Sequence, residues 1–515
     1  MDNTARVVAF MDVGTNSIRL LMVRVNPNHS YTVLTQQKEV VRLGSGEFPS
    51  RHLRRDAMDR AVLVCTKFAE MARSNGADDM IAVATSATRE ADNQADFLLR
   101  LHNEAGLDLR VISGLEEARL IYLGVSRGMN LGDKQAVFID IGGGSTELIV
   151  GDAKHHQYLD SLKLGSIRLA AEFSRALGTG KINLAAYGQL QQAVRNASAV
   201  TLAHVRKFRI DGAFASSGTA MNLAEIASRQ FHGHSLDRQG GTLAHAHLKA
   251  VLRRLCDATL AQRRKVPGIN PERADIIVPG GAILDTLMDD LGLAQITISD
   301  RAMRDGLLEN YLARSDSTHW LDRMPTRERS VILLGRACGF DEPHARKVTE
   351  LALQLFDSAA RLGLHKLDAT QREWLLYAGW LHDIGTFLSF VNHQDHTYYI
   401  TRNSELLGFD QTEIPIIAAV ARFHRKGFPG PGKPEVAGFS KTTLKVVRQL
   451  CVLLRLGEAL DRSHAGLVDA AQFTTRNGSI RLKITPRADA TLERWGAQNN
   501  AKFFEKAFGK PLVVG

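Results

Sequence analysis

The chain repeats itself once. FMDVGTNSIRLLM at 10–22 aligns without gaps on FIDIGGGSTELIV at 138–150, with Phe10/Phe138, Asp12/Asp140, Gly14/Gly142, Ser17/Ser145 and Leu20/Leu148 coincident. Each copy reads as an apolar strand, an acidic residue, a turn of glycine and hydroxyl residues, and a second strand. That is the pattern of a β-hairpin with a polar tip. Two copies at a fixed offset predict a duplicated domain with one such hairpin per half. The alternative is a pair of unrelated hairpins that share common turn residues.

Between the hairpins the pattern alternates. MIAVATSA (80–87) and DLRVISG (108–114) read as strands, and ADFLLRLHNEAG (95–106) and EEARLIYLGVSRG (116–128) as helices. Further on, QLQQAVRNASAVTLAHVRKF reads as a helix, and DGAFASSG and ADIIVPGGA as strands, the second one buried. Such alternation predicts two α/β layers with mixed sheets. From about 302 to 465 long amphipathic helices take over. The last fifty residues regain strands in AQFTTRNGSIRLKITP, with Asn477-Gly478 as the hairpin turn, followed by a helix (QNNAKFFEKAFG) and a short strand (PLVVG). Four domains are expected, at 1–126, 127–303, 304–466 and 467–515.

Composition narrows the class. With 44% hydrophobic and 23% charged residues, the chain is neither disordered nor fibrous. No apolar run approaches a membrane span, and MDNTARVVAF lacks the features of a signal peptide. Cys65, Cys256, Cys338 and Cys451 stand far apart, which excludes a dense disulfide framework or a cysteine zinc knuckle and points to a reducing cytoplasm. The formal net charge of +10 favours a polyanionic partner. No basic stretch interleaves aromatics as a single-strand nucleic-acid platform would, so no specific nucleic acid is implied.

Glycine at a hairpin tip lets backbone N–H groups converge on an anion, forming a nest for phosphate oxygens. Gly14 and Gly142, Gly143 and Gly144 supply that freedom, while Thr15, Asn16, Ser17, Ser145 and Thr146 add side-chain donors. Asp12 and Asp140 end apolar strands and so would project carboxylates into one cleft, where Mg²⁺ bridges carboxylate and phosphate; Glu147 follows as a further acidic ligand.

The paired hairpins resemble the phosphate loops of the sugar-kinase/Hsp70/actin superfamily, with its duplicated ribonuclease H-like domains. Within it, FMDVGTNSIRLLM, VATSATREADN, VISGLEEARLIYLGV and FIDIGGGSTELIVGD resemble, in order, the exopolyphosphatase/guanosine pentaphosphate phosphatase (Ppx/GppA) family in its long form. Weaker matches at SSGTAMNLAE, DIIVPGGAIL and RDGLL extend the resemblance, and with it a phosphate-binding role for Gly218 and Thr219. Ser113-Gly114-Leu115-Glu116 has the form of a capping box, so Glu116 is expected to fold back on the backbone. Glu117 alone would read as a solvated first-turn residue. The resemblance makes it the catalytic carboxylate. On spacing, Arg89 fits a surface arginine and a phosphate clamp equally, and the resemblance favours the clamp. The role of Arg19 stays open.

What the resemblance implies is Mg²⁺-dependent hydrolysis of a terminal phosphoanhydride. The implied substrate is inorganic polyphosphate, or alternatively guanosine pentaphosphate (pppGpp), and the implied assembly a homodimer; the basic charge balance favours the longer polyanion, on an extended positive track that includes Lys163 and Arg168. A superfamily ATPase without exophosphatase activity and an alarmone-binding sensor are the readings of another class.

In the helical region His344, His382, His424 and Asp461 each fall on an apolar stripe, which turns them inward, and Asp383 stands beside His382. Each histidine alone reads as a hydrogen-bonded core residue. Their order resembles that of HD-domain phosphohydrolases, which implies an HD-like domain able to hold a second divalent metal, followed by a small α+β domain. HQDHTYYITRN (393–403) supplies further candidate ligands.

Overall fold

A computed structural model describes residues 5–28, 30–237, 240–313, 324–410, 412–476 and 479–515. The chain forms two compact units, Met1–Thr326 and Arg327–Gly515.

In the first unit, β1 (Arg6–Val13), β2 (Ser17–Val25) and β3 (Tyr31–Val40) form an antiparallel meander. β4 (Asp79–Ala84) and β5 (Leu109–Val111) continue it in parallel, in the order β3-β2-β1-β4-β5. The second sheet repeats this plan. β6 (Ala136–Ile141), β7 (Thr146–Gly151) and β8 (His156–Leu162) are its meander, and β9 (Gly212–Ser216) and β11 (Gln295–Ile298) its parallel strands. The order β8-β7-β6-β9-β11 matches the first sheet strand for strand, with β10 (Thr242–Ala244) added at the edge. The registers match as well: Asp12 lies opposite Arg19, and Asp140 opposite Glu147.

One apolar cluster is common to both sheets. Val8 and Phe10 of β1 and Phe138 and Ile149 of β6 and β7 pack with Ala118, Leu120 and Ile121 of the helix Gly114–Ser126. Met303, Leu307 and Leu308 of the helix Met303–Leu312 complete it. The two helices cross at glycines. A Cβ on Gly306 would lie 1.8 Å from the Leu120 carbonyl oxygen, and one on Gly124 would lie 2.3 Å from that of Ala302. This backbone-to-backbone contact locates the helix that carries Glu117.

The segment expected as a buried strand at ADIIVPGGA is instead the start of a helix, Ile277–Asp290. Every residue from Ile277 to Met288 is buried, so the segment has no polar face and no period by which helix and strand can be told apart. Pro279 stands in the first helical turn, where a missing N–H costs nothing.

The second unit contains the helices Glu342–Arg361, Ala369–Leu381, His393–Asn403, Glu413–Arg422 and Lys441–Leu460. The apolar stripe of Glu342–Arg361 (Val348, Leu351, Leu355) is buried, as is that of Lys441–Leu460 (Leu450, Leu454). Gly457 lets the two approach closely, since its Cβ would lie 2.7 Å from the Val348 oxygen. β12 (Val468–Arg476) and β13 (Ser479–Pro486) pair antiparallel, and β14 (Leu512–Val514) joins β13 in parallel. The expected turn residues Asn477 and Gly478 lie outside the described residues. Cys65, Cys338 and Cys451 are buried free thiols and Cys256 a half-buried one. Among the described residues no helix is long and apolar enough to cross a membrane.

Gly306→Ala is expected to destabilise the first unit by about 1–3 kcal/mol, because the methyl meets backbone that cannot yield. Gly188→Ala, on an open face of the helix Leu184–Val205, is expected to stabilise by up to about 1 kcal/mol. Thermal denaturation of the two variants should show midpoint shifts of opposite sign.

Candidate active site

The two hairpin tips are built alike. Gly14 N–H donates to Ser17 O at 3.1 Å, and Gly142 N–H to Ser145 O at 2.9 Å. In each turn a Cβ on that glycine would come within 3.1 Å of the same acceptor. The tips also meet. A Cβ on Gly143 would lie 3.0 Å from Thr15, and one on Gly144 2.5 Å from Ser86 Oγ and Phe48. Glycine is required here by close approach, not by backbone angle.

Between the tips lies a cleft of about 90 Å³. Asp12, Gly14, Thr15, Asn16 and Ser17 line it from the first half. Asp140, Gly142, Gly143, Gly144 and Ser145 line it from the second, and Glu117 and Gly218 also reach it. Four other predicted residues stand behind this lining. Thr146 is buried with its hydroxyl donated to Leu164 O at 2.5 Å. Thr219 is buried against Gly280. Glu147 accepts from Ser161 Oγ at 2.8 Å. Arg89 turns its guanidinium to protein, with Nη1 donating to Glu117 Oε2 and to Ile112 O, both at 3.0 Å.

Glu117 reaches the cleft from the first turn of the helix Gly114–Ser126. Ser113 caps that helix by accepting from Glu116 N–H at 3.2 Å, but the Glu116 carboxylate, expected to fold back on the backbone as in a capping box, instead takes two hydrogen bonds from Arg119, at 2.8 and 2.9 Å. Glu117, one step round, is left to point inward and is only 8% exposed.

Burial dominates the electrostatics. It pushes the Glu117 carboxyl up to about 7, against the pull of Arg89 and with Asp12 and Asp140 adding to the rise. Burial likewise raises Asp12 to about 6, opposed by Arg19 and Arg304. Asp140 is raised by burial despite a hydrogen bond from the Ser216 hydroxyl. Glu147 is raised by burial and then by the charges of Glu117 and Asp140. Four carboxyls thus crowd one buried place, and the excess is on the second half, where Glu147 occupies the position that Arg19 holds in the first. An all-oxygen donor set of this kind fits a hard divalent cation.

The cleft also carries groups suited to an anion. Arg19 and Arg273 line it, and neither has a hydrogen-bond or ion-pair partner among the described residues. Burial, then Arg19 and Arg42, lower Arg273 to about 10. Asn16 Oδ1 and Ser217 Oγ are buried without a hydrogen-bond partner. Ser217 holds a left-handed φ of 82°, which for a non-glycine residue marks a constrained position. Arg273 and Ser217 were not legible as site residues: Ser217 sits inside the quoted SSGT motif, whereas nothing around Arg273 marks it. Arg168 is committed elsewhere, with Nε to Gly144 O at 2.8 Å, Nη2 to Glu90 at 2.6 Å and its guanidinium over Phe48. It braces the second tip. Lys163 is exposed, 3.6 Å from Glu90.

In the second unit the predicted residues also come together. His344 Nδ1 lies 2.8 Å from Asp461 Oδ2, and His382 and His424 Nε2 lie 3.9 and 3.4 Å from Asp383 Oδ1. Two residues join them that were not singled out. His393 comes from the HQDHTYYITRN stretch, and Glu458 has no signal beyond standing one helical turn before Asp461.

The sign of the pH effect follows from the raised carboxyls. A folded-state value above the unfolded one means that stability is lost as pH rises, for Glu117 between its ordinary 4.5 and about 7. With divalent cations chelated, the thermal midpoint of the first unit should therefore fall across that range. Asp140→Asn should raise the midpoint in chelator at mildly alkaline pH and remove the rise of a few degrees that is expected when millimolar Mg²⁺ is added to the parent protein. Scanning fluorimetry with and without chelator reads both effects.

A model of the Ppx/GppA phosphatase family matches residues 21–315, and one of Ppx/GppA phosphatase domain III matches residues 326–495. Among solved structures, an exopolyphosphatase from Cytophaga hutchinsonii ATCC 33406 is 25% identical, with a TM-score of 0.56 over 60% of this chain and 98% of that one. A protein described as exopolyphosphatase-like is also 25% identical, with a TM-score of 0.54 over 60% and 98% of the two chains. The Aquifex aeolicus member of the Ppx/GppA family shares the fold at 22% identity and a TM-score of 0.51, over 61% and 99%. With family models spanning both compact units, this chain belongs to the Ppx/GppA phosphatase family.

Proposed function

We propose that this phosphatase is an exopolyphosphatase, hydrolysing the terminal phosphoanhydride of inorganic polyphosphate with Mg²⁺ and releasing orthophosphate. One observation carries the reading: a carboxylate raised toward neutrality and two unpaired arginines share a cleft with two facing glycine tips. The Cytophaga hutchinsonii structure, named an exopolyphosphatase, supports the choice of substrate.

Hydrolysis of a phosphoanhydride is mostly positioning and charge neutralisation. The terminal phosphoryl lies between the tips, with Thr15, Asn16, Ser17 and Ser145 as donors and Arg19 and Arg273 against its negative charge. Glu117 orients a water and accepts its proton, and a value near 7 suits a base working at neutral pH. Arg89 is a positioning residue in this scheme, since it holds the Glu117 carboxylate by one oxygen and ties it to the Ile112 carbonyl. Asp12, Asp140 and Glu147 would hold Mg²⁺, which supplies further charge neutralisation at the phosphate oxygens. In this reading the duplicated phosphatase domains are followed by an HD-like helical domain and a small α+β domain, with boundaries near 126, 303 and 466. The same chemistry would serve on pppGpp.

Glu117→Gln is expected to lower phosphate release about 10²- to 10⁴-fold while binding of polyphosphate persists. Arg273→Ala should act mainly on KM. Release assays on long polyphosphate and on pppGpp, compared as kcat/KM, test the substrate. A higher value on pppGpp would overturn polyphosphate as the assignment, and unchanged turnover in Glu117→Gln would remove that residue from its role.

A further inference from the structure

The segment 387–391 of the second unit reverses the usual placement of apolar and polar side chains. It begins at the end of the 3₁₀ turn Ile384–Phe387 and leads into the helix His393–Asn403. Phe387, Leu388, Phe390 and Val391 are 62, 57, 71 and 70% exposed, while Ser389 between them is the less exposed residue. No other stretch of five described residues exposes more than two large apolar side chains. Single exposed apolar residues are ordinary, but four together mark a surface that water is not meant to cover.

The backbone holds this loop in shape. Gly385 O accepts from Leu388 N–H at 3.1 Å and from Ser389 N–H at 3.3 Å, and Ser389 Oγ accepts from Val391 N–H at 3.2 Å. Gly385 N–H donates to Thr397 Oγ1 at 3.0 Å. A Cβ on Gly385 would lie 2.0 Å from the His393 oxygen, so the two ends of the loop meet backbone to backbone. Asn392 closes it with a left-handed φ of 56°, a conformation that asparagine tolerates better than most residues. The exposed side chains are therefore presented by a tied loop.

Two cations stand at the same place. The Arg425 guanidinium lies 5.7 Å from the centre of the Phe390 ring, and Lys426 Nζ donates to Asn392 Oδ1 at 3.1 Å. Both residues are exposed, and neither has a carboxylate partner among the described residues. The acids of the adjoining segments are engaged elsewhere, Asp395 with Arg422 at 2.5 Å and Asp383 with His393 and His424 at 3.2 and 3.4 Å.

We propose that this loop docks the protein on an anionic lipid bilayer, with the four apolar side chains below the headgroups and Arg425 and Lys426 at the level of the lipid phosphates. A bilayer of that kind offers both parts of the match, an apolar layer and a negative surface just above it. A second copy of the chain matches only the apolar part. A two-fold contact through one patch sets that patch against itself, so Arg425 and Lys426 would meet their own like charges. Docking of this kind lies on a membrane and needs no helix that crosses it. It also uses no residue of the phosphatase cleft.

The test is cosedimentation of the full chain with vesicles of phosphatidylglycerol and phosphatidylcholine, against vesicles of phosphatidylcholine alone. The parent protein should pellet with the first and far less with the second, and its binding should weaken as salt is raised. Phe390→Ser combined with Val391→Ser should weaken binding about tenfold or more. Arg425→Gln combined with Lys426→Gln should weaken it about fivefold for each charge removed. Both double variants should keep the parent's thermal midpoint, since all four positions are exposed. No binding of the parent protein to the anionic vesicles, or binding that neither variant weakens, would overturn the proposal. Equal binding to the two kinds of vesicle would overturn the role of the cations. A parent dimer that the Phe390→Ser, Val391→Ser variant dissociates, without vesicle binding, would assign the patch to a second copy instead. Should one variant fail to fold, the other carries the comparison, and the parent measurement needs neither.

Discussion

Burial of four carboxyls at one place governs the electrostatics of the first unit. Asp12, Glu117, Asp140 and Glu147 are brought together from three separate stretches of chain, and burial raises all four above their ordinary range. Such a site is tolerable only if something positive shares it. Arg89 answers Glu117 directly and Arg19 faces Asp12 across the β1–β2 ladder, but the second half has a carboxylate where the first has an arginine. That imbalance suits the proposed divalent cation.

The fold bears this cost through contacts that leave little freedom to relax. The helix carrying Glu117 is held against the helix Met303–Leu312 at Gly124 and Gly306, backbone against backbone. The glycine tips are pressed together at Thr15 and Gly143, and Gly165 lies so near Gly143 that a Cβ there would sit 2.3 Å from its oxygen. Arg168 closes the arrangement by bonding the Gly144 carbonyl and stacking on Phe48. Positions set by backbone contact are preorganised, and for phosphoryl transfer preorganisation is most of the chemistry.

The second unit poses the converse problem. Its crowding is of lone pairs, held in place because each Nδ1 is already committed to an acceptor. In both units buried groups of one kind are thus brought together, carboxyl oxygens in the cleft and ring nitrogens in the helical cluster.

Local patterns were legible before any coordinates. The repeat of hairpin, acid and glycine predicted two equivalent sheets, and the Ser113 cap was legible too, although the Glu116 carboxylate pairs with Arg119 and was expected to fold back on the backbone. Period and capping are properties of neighbouring residues, and they survive in a linear text. The helix at Ile277–Asp290 was misread because a segment buried on every side has no period to read. Arg273, Ser217 and Glu458 were not picked out, and His393 was offered only as part of a stretch, for a different reason: what each of them faces depends on how other elements of the fold are brought to it. Sequence alone determined that this chain carries two turns of glycine and hydroxyl residues with an acid beside each. Which acids share a cleft, which arginines are left unpaired and which ring nitrogen faces which carboxylate were decided only by the tertiary structure, because charge and lone-pair interactions depend on distances through space that no local pattern encodes.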